Sequence, residues 1–316
     1  MRAERWIVMA ALAAAGCGDD HGHTETDAGA PHDHIEAADD VVATDGGITD
    51  APRADVPAGA TPVVVRFAAK VGAMPFACGQ TYPGLGSANS TWNPLDFRLY
   101  VHDVRLLDAI GNEVPVTLEQ DGTWQHEGVA LLDFEDRTGL CSNGTAPTNL
   151  TVRGSVSRVS TWTGLRFRVG VPFALNHADI ASKPSPLNLT GLWWNWQGGH
   201  KFLRIDGRTQ DATGTVLVQG WNIHLGSTGC DGSSSGGVTR CMNPNRPEVT
   251  LMNFDPATNT VVADLARLVS GTDLSRSNAD PGCMSTPGDS DCASLFPALG
   301  LPFGSAPAAQ AFFRVE

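Results

Sequence analysis

Between Phe97 and Leu106 the chain has the sequence Phe-Arg-Leu-Tyr-Val-His-Asp-Val-Arg-Leu, in which apolar and polar residues alternate over much of the length. Successive side chains of a β-strand point to opposite faces, so this alternation predicts a strand with one buried face. The β-branched run from Val63 to Phe67 predicts a second strand of the same kind.

The rest of the chain is predicted to be mostly strand. Further strands are predicted at residues 129–134, 149–156, 164–169, 201–206, 213–225, 248–253 and 261–264, and helical periodicity is limited to 263–269 and 293–299. Many short strands joined by turns rich in Gly, Pro and Asn favour an antiparallel sandwich over a parallel α/β sheet. The predicted fold class is therefore all-β, an antiparallel β-sandwich with long ordered loops.

The first residues have the layout of an export signal. Arg2 and Arg5 precede an apolar stretch, which ends in Ala14-Ala15-Gly16-Cys17. Cysteine after two small residues resembles the bacterial lipobox, although Ala14 stands where leucine is usual. We therefore predict a lipoprotein signal peptide at 1–17, with Cys17 as the lipidated residue. The mature protein is expected at the periplasmic side or the cell surface, lipid-anchored to a bacterial membrane.

Residues 18–60 are predicted to be a disordered acidic tether, because they contain few large apolar residues. The tether carries most of the chain's net charge of −13. Its paired histidines are His21, His23, His32 and His34. They could bind a divalent metal weakly, although a solvated segment is the favoured interpretation. Residues 61–316 are predicted to form one domain. That domain has no basic stripe, which excludes nucleic-acid binding.

Six cysteines remain after Cys17, and an exported chain favours disulfides between them. Short separations across Gly/Ser/Pro/Asp-rich loops favour the pairs Cys230–Cys241 and Cys283–Cys292, which leaves Cys78–Cys141. None of the six belongs to a CxxC motif, so a thiolate zinc knuckle is not expected.

The predicted domain contains five histidines, His102, His126, His177, His200 and His224. A single histidine of this kind is more often a hydrogen-bonded structural residue than a metal ligand. Trp124 and His126 lie two apart, so an extended backbone would put them on one face. His224 ends a predicted strand shortly before Cys230.

Several motifs follow one another in the order seen in the methanobactin-associated copper-binding protein family, called MbnP-like. The matching segments are residues 76–79, 96–106, 129–135, 171–177, 192–206 and 224–230. The resemblance covers roughly residues 63–300 and implies a periplasmic or surface copper binder with a β-sandwich core. It also implies that copper is held by two histidines and by a tryptophan oxidised to kynurenine, which a partner resembling a di-haem cytochrome c peroxidase produces.

In such relatives the modified residue lies two positions before one of the histidines. Trp124 is the only tryptophan here with a histidine two residues later, and His224 is the natural second imidazole. The resemblance therefore implies Trp124, His126 and His224 as copper ligands. Kynurenine adds an aryl amine and a ketone that indole lacks, and imidazole is a favoured copper ligand.

Alternatives to this assignment remain open. Trp193, Trp194 and Trp196 could include the oxidised residue, could form a platform for a carbohydrate or surface polymer, or could be core and rim aromatics. The domain could instead be an inert interaction module whose tether binds the metal.

His200 stands where the family more often has tyrosine and inherits no family role. Asp133 and Glu135 resemble a carboxylate pair, but no catalytic arrangement is convincing, so no enzyme is predicted.

Overall fold

The computed structural model describes residues 59–158, 160–278 and 280–316. The predicted signal peptide with Cys17 lies outside these residues. So does the predicted tether with His21, His23, His32 and His34, except for Gly59 and Ala60.

The described residues form twenty strands and three short α-helices. The strands are β1 (Thr61–Val71), β2 (Met74–Pro75), β3 (Tyr82–Leu85), β4 (Ser90–Asp108), β5 (Glu113–Pro115), β6 (Thr117–Leu118), β7 (Gln125–His126), β8 (Val129–Asp133), β9 (Thr151–Val156), β10 (Trp162–Val169), β11 (Trp193–Asn195), β12 (Gly199–His200), β13 (Leu203–Gln210), β14 (Val216–Leu225), β15 (Thr228–Ser233), β16 (Gly237–Asn243), β17 (Glu248–Met252), β18 (Thr260–Asp264), β19 (Gly282–Cys283) and β20 (Phe313–Val315). The helices are α1 (Phe173–Asn176), α2 (Leu265–Leu268) and α3 (Leu295–Leu299), with 3-10 turns at Ile180–Ser182, Thr190–Leu192 and Ser290–Cys292.

The smaller of the two main sheets has the strand order β20-β18-β1-β9-β6, with β2 also paired to β1. Its central strand β1 alternates in burial: Val63, Val65 and Phe67 are buried, and the residues between them are more accessible. This sheet therefore buries one face, as alternating patterns predict. Most pairings are antiparallel, but β1 and β18 run parallel.

The larger sheet has the order β17-β10-β4-β13-β14-β19 and is organised around β4, which is 19 residues long. One edge of β4 pairs with β13 and β10, and β3, β8 and β5 pair along the other edge. Strand β7 adds to β8. Nearly all of β4 is buried, so both faces of this sheet are covered.

Phenylalanines join the two sheets into a sandwich. Phe67 of β1 lies edge-on to Phe167 of β10, with ring centroids 5.7 Å apart. Phe167 also meets Phe313 of β20 at 5.1 Å. Such edge-to-face pairs add about 0.5 to 1.5 kcal/mol each beyond the burial of apolar area. The predicted all-β sandwich is confirmed.

The other face of the large sheet, which contains Arg98, Tyr100 and His102 of β4, is covered by loops, and we call it the loop face. The Tyr100 hydroxyl donates a hydrogen bond to the carbonyl of Pro186, at 2.7 Å. The ring of His200 lies edge-on to Tyr100 at 5.6 Å. The long connection after β10 is thus ordered against the sheet, in agreement with the predicted long ordered loops.

The structure contains the three disulfides that the sequence favours, Cys78–Cys141, Cys230–Cys241 and Cys283–Cys292. The Gly/Ser-rich segment between Cys230 and Cys241 forms the turn of a hairpin of β15 and β16. The two cysteines are directly paired across this hairpin.

Among the described residues, no helix is both long enough and apolar enough to cross a membrane.

Candidate metal centre

Three of the domain's histidines lie on the loop face. His126 pairs with Val129, and Val129 pairs with His102 of β4. His224 pairs with Arg204, and Arg204 pairs with Arg98 of β4. Directly paired residues of neighbouring strands share a face, and positions 98 and 102 are an even number apart.

The structure does not bring His126 and His224 together. Strands β8, β4 and β13 lie between β7 and β14, which corresponds to about 19 Å at about 4.8 Å per strand. The two histidines also lie in cross-strand rows that are four β4 residues apart, about 13 Å along the strand. Metal–nitrogen bonds are about 2 Å long, so in this arrangement one ion cannot be bound by both imidazoles.

Trp124, by contrast, directly precedes the short edge strand β7, which contains His126, and its carbonyl accepts a hydrogen bond from the Leu131 N–H of β8 at 2.8 Å. The Gln125 side chain points away from them and donates to the carbonyls of Glu119 and Arg153, each at 2.9 Å. Trp124 is partly buried against the core. His126 is half-buried, with Nε2 3.1 Å from the carboxylate of Glu127. An imidazole, a carboxylate and an oxidisable indole therefore lie at one accessible edge.

His224 belongs to a buried ionic cluster on the loop face. Its Nε2 lies 2.8 Å from Oδ1 of Asp206, and Arg204 Nε donates to Oδ2 of Asp206 at 2.7 Å. Arg204 also approaches Asp96 at 3.1 Å, and Arg98 forms a two-point hydrogen bond with Asp96. Charges this deeply buried persist only when they are paired and hydrogen-bonded.

The pKa of Asp206 reflects this pairing. Burial alone would raise it, but the hydrogen bond and charge of His224, together with Arg204, bring the pKa below its usual range. A carboxylate on Nε2 leaves Nδ1 as the ring nitrogen of His224 that a metal could bind. His224 is 7% exposed.

Two further carboxyl groups border the cluster with different protonation behaviour. Burial raises the pKa of Asp133 to about 8, although Arg98 lowers it. Burial also raises the pKa of Glu135, and the charge of Asp96 adds to this effect. The protonated form of Asp133 is therefore favoured at neutral pH.

His102 and His200 are buried, and both imidazoles form hydrogen bonds in the interior. His102 Nδ1 donates to the carbonyl of Gly170 at 2.8 Å, and burial lowers its pKa to about 4. His200 is completely buried, with Nε2 3.0 Å from the carbonyl of Leu187. Burial also lowers the pKa of His200. Both are structural residues in this geometry.

His177 follows α1 and lies against the hairpin of β15 and β16. Its Nε2 is 3.3 Å from Sγ of Cys241 and 3.0 Å from the side-chain amide of Asn176. Ligand atoms of His177, Cys230 and Cys241 all lie within 4.8 Å of one another. Sequence reasoning treated His177 as a hydrogen-bonded structural residue and missed this cluster.

The three neighbouring tryptophans do not form one flat platform. Trp193 packs edge-on to His200 at 4.9 Å, and Trp196 is 40% exposed. Trp194 lines a cavity of about 380 Å³ with polar residues that include Gln197, and with Met242 and Met284. Trp194 thus faces an open cavity lined by hydrogen-bonding groups.

Comparison with known proteins decides the family. The family model described as MbnP matches residues 60–285. The solved structure of MbnP from Methylosinus trichosporium is 33% identical and superposes with a TM-score of 0.70, covering 81% of this chain and 98% of that one. The chain belongs to the MbnP family. No curated protein matches it significantly.

Membership in the MbnP family confirms the resemblance that the motifs indicated. The assignment of Trp124, His126 and His224 as copper ligands, which the resemblance implies, stays a prediction. Within the three described ranges, the clusters of three His, Cys, Asp or Glu ligand atoms include neither His126 nor His224. Sequence reasoning also missed the ionic cluster, although Asp96-Phe97-Arg98 and Arg204-Ile205-Asp206 place opposite charges two apart on predicted strands.

Proposed function

We propose that this MbnP-family domain is a binding protein rather than an enzyme, and that it captures or delivers copper outside the cytoplasm. The observation that carries the proposal is the family match over residues 60–285, supported by the 33% identity to MbnP. The three disulfides support an oxidising compartment, since such bonds are rare in the cytosol. Lipidation of Cys17 would anchor the domain at a bacterial membrane.

The copper ligands are proposed at the edge of the large sheet. The set expected from the resemblance is His126, His224 and kynurenine at Trp124. Four strand spacings, about 19 Å, separate the strand of His224 from that of His126, and His224 is hydrogen-bonded to Asp206. We therefore propose copper at the pair Trp124 and His126, with His224 outside the coordination shell. Kynurenine would add an aryl amine and a ketone beside the imidazole of His126. The carboxylate of Glu127 is 3.1 Å from Nε2 and can complete an N/O site.

Trp124 is proposed as the modified tryptophan, with an enzyme resembling a di-haem cytochrome c peroxidase as its maturation partner. The partial burial of Trp124 at an edge strand leaves the indole accessible from solution. The change removes one carbon and adds one oxygen, so peptide mass spectrometry identifies it.

The test uses the full chain produced with and without the maturation enzyme of its native source. We expect tight copper binding only in the matured protein, and we expect His126→Ala to abolish it. Trp124→Phe should remove the kynurenine signature, whereas Trp162→Phe, a half-buried tryptophan of β10, should retain it. Unchanged affinity in His126→Ala, or kynurenine at Trp194 or Trp196, would reject this site.

Two further variants separate the alternatives. His224→Ala should retain copper if the ion lies at Trp124 and His126, and should lose it if the two imidazoles share one ion. Replacing the tether histidines His21, His23, His32 and His34 with alanine should leave the tight site intact. Loss of binding in that variant would transfer the copper to the tether.

A second candidate function is carbohydrate or surface-polymer binding at the cavity beside Trp194. An aromatic wall with amide and hydroxyl groups, here Asn195, Gln197 and Thr228, suits a sugar ring. Glycan-array binding that is lost in Trp194→Ala and retained in His126→Ala would support it. Absence of glycan binding by the intact protein would end it.

A further inference from the structure

We infer that His177, Cys230 and Cys241 form a second, redox-dependent copper site, which becomes available when the Cys230–Cys241 disulfide is reduced. The choice of copper as the ion rests on the proposed function, whereas the thiolate–imidazole cluster itself does not. Two thiolates and an imidazole are soft and borderline donors, a combination that selects copper(I) or zinc.

The positions of the three ligand atoms suit a shared ion. His177 Nε2 lies 3.3 Å from Cys241 Sγ, and the three ligand atoms are within 4.8 Å of one another. Ligands bound at about 2.0 to 2.3 Å to one metal lie about 3.5 to 4 Å apart. Because reduction lets the two sulfurs separate from bonding distance, a small movement brings all three into range.

His177 presents an unprotonated nitrogen to the sulfurs. Nε2 accepts a hydrogen bond from the Asn176 amide, so this nitrogen carries the lone pair. A bound cation would take the place of that amide hydrogen bond.

The hairpin keeps the sulfurs near His177 after reduction. Pairs on both sides of the cysteines, Thr228 with Asn243 and Asp231 with Arg240, hold β15 to β16. Gln197 donates to the carbonyl of Cys230 at 2.7 Å and ties the hairpin to the loops. The two strands pair with no other strand among the residues that the structure describes, so opening this disulfide leaves both main sheets intact.

The other two disulfides are less suited to this role. Their cysteines are between 0% and 3% exposed, whereas Cys241 is partly exposed and Cys230 lines the cavity beside Trp194. Their third group is a carboxylate, Glu135 or Asp289, in place of an imidazole. Mild reduction should therefore open Cys230–Cys241 first.

An external dithiol would reduce the Cys230–Cys241 disulfide. The dithiol transfers two electrons and two protons to the disulfide and itself becomes a disulfide, leaving thiols at Cys230 and Cys241. Copper(I) then binds the two sulfurs and releases two protons. Reduction of the site therefore needs a dithiol reductant, and loading it needs copper already in the +1 state.

The experiment compares the oxidised full chain with protein treated with a limiting amount of dithiol and then freed of it. Thiol titration should show two new thiols, and alkylation with peptide mapping should place them at Cys230 and Cys241. The reduced protein should take one more copper(I) equivalent from a chromophoric chelator than the oxidised protein. X-ray absorption should show two sulfurs and one nitrogen around that copper.

Cys230→Ser with Cys241→Ser should remove the additional equivalent. His177→Ala keeps the disulfide and should weaken the additional binding at least tenfold, with near-ultraviolet circular dichroism confirming the fold. His126→Ala is the matched control, because it removes the proposed edge site and should leave the additional equivalent unchanged. No gain on reduction, or equal binding in the His177 and wild-type proteins, would overturn the inference whatever the oxidised protein binds.

Discussion

Asp206 and His224 lie on neighbouring strands with Oδ1 and Nε2 2.8 Å apart, although Asp206 pairs with Asn222 and His224 pairs with Arg204. The contact is thus diagonal, and it leaves the second oxygen of Asp206 for Arg204 at 2.7 Å. One buried carboxylate therefore connects an imidazole on β14 with a guanidinium on β13.

Replacing Asp206 with asparagine should destabilise the fold strongly. The change leaves His224 buried without a carboxylate partner and leaves Arg204 with Asp96 alone, and loss of one member of a buried pair costs about 3 to 5 kcal/mol. Urea denaturation followed by tryptophan fluorescence measures the free energy of unfolding. Asp231→Asn is the control, because its pair with Arg240 is exposed and should contribute less than about 1 kcal/mol. Equal losses in the two variants would contradict the importance of the buried cluster.

Asp133 should make the fold less stable as the pH rises. Its pKa is about 8 in the folded protein, above its value of 3.8 in a model compound, so the folded state holds this proton more tightly than the unfolded state. The contribution is fully present below about pH 4 and is lost as pH rises through about 8. Asp133→Asn cannot ionise, so its urea midpoint should change less between pH 6 and pH 9 than that of the wild type. An identical change in both proteins would show that Asp133 is already ionised at pH 6.

The disulfides should differ in their contributions to stability. Cys78–Cys141 closes a loop of 63 residues and Cys230–Cys241 a loop of 11. The chain-entropy model assigns about 4 kcal/mol to the first and about 3 kcal/mol to the second. Paired cysteine-to-alanine variants, compared by thermal and urea denaturation, should therefore rank in that order. A larger loss from the Cys230–Cys241 pair would mean that the hairpin contributes more to the core than its pairing indicates.

Gly207 should not tolerate a side chain. A Cβ atom there would lie 2.0 Å from the ring of Trp92, which is completely buried. Gly207→Ala should lower the free energy of unfolding by about 1 to 3 kcal/mol, the usual cost of overpacking a core. Gly79→Ala is the control, because a Cβ atom at that position meets no atom within 4 Å. Wild-type stability in Gly207→Ala would require Trp92 to move without cost.

Strands with one exposed or one polar face could be predicted from the sequence, because the alternation of apolar and polar residues is a local signal. The beginning of β4 was not, since Pro94 normally argues against a central strand. In the structure Pro94 lies opposite Gly207, beside a shift in register that accommodates its missing N–H group. The hairpin of β15 and β16 was also missed, because glycines and serines indicate a flexible loop unless the cross-strand disulfide is considered.

The candidate site was only partly predictable. The proximity of Trp124 and His126 follows from their spacing of two residues, since the pairing with β8 continues from β7 to Trp124. The distance between His126 and His224 depends on the order of five strands in the sheet, which no local pattern encodes. The cluster of His177 with Cys230 and Cys241 depends on a loop packing against a hairpin, and is equally non-local.

The central position of β4 determines when the large sheet can form during synthesis. Its partners extend from Tyr82 to Gln210, and β13, which pairs with the first half of β4, is the last of them to be made. An emerging chain therefore exposes one edge of its longest strand until β13 has been translated. For that interval the unpaired edge can pair with other chains, which favours aggregation along it.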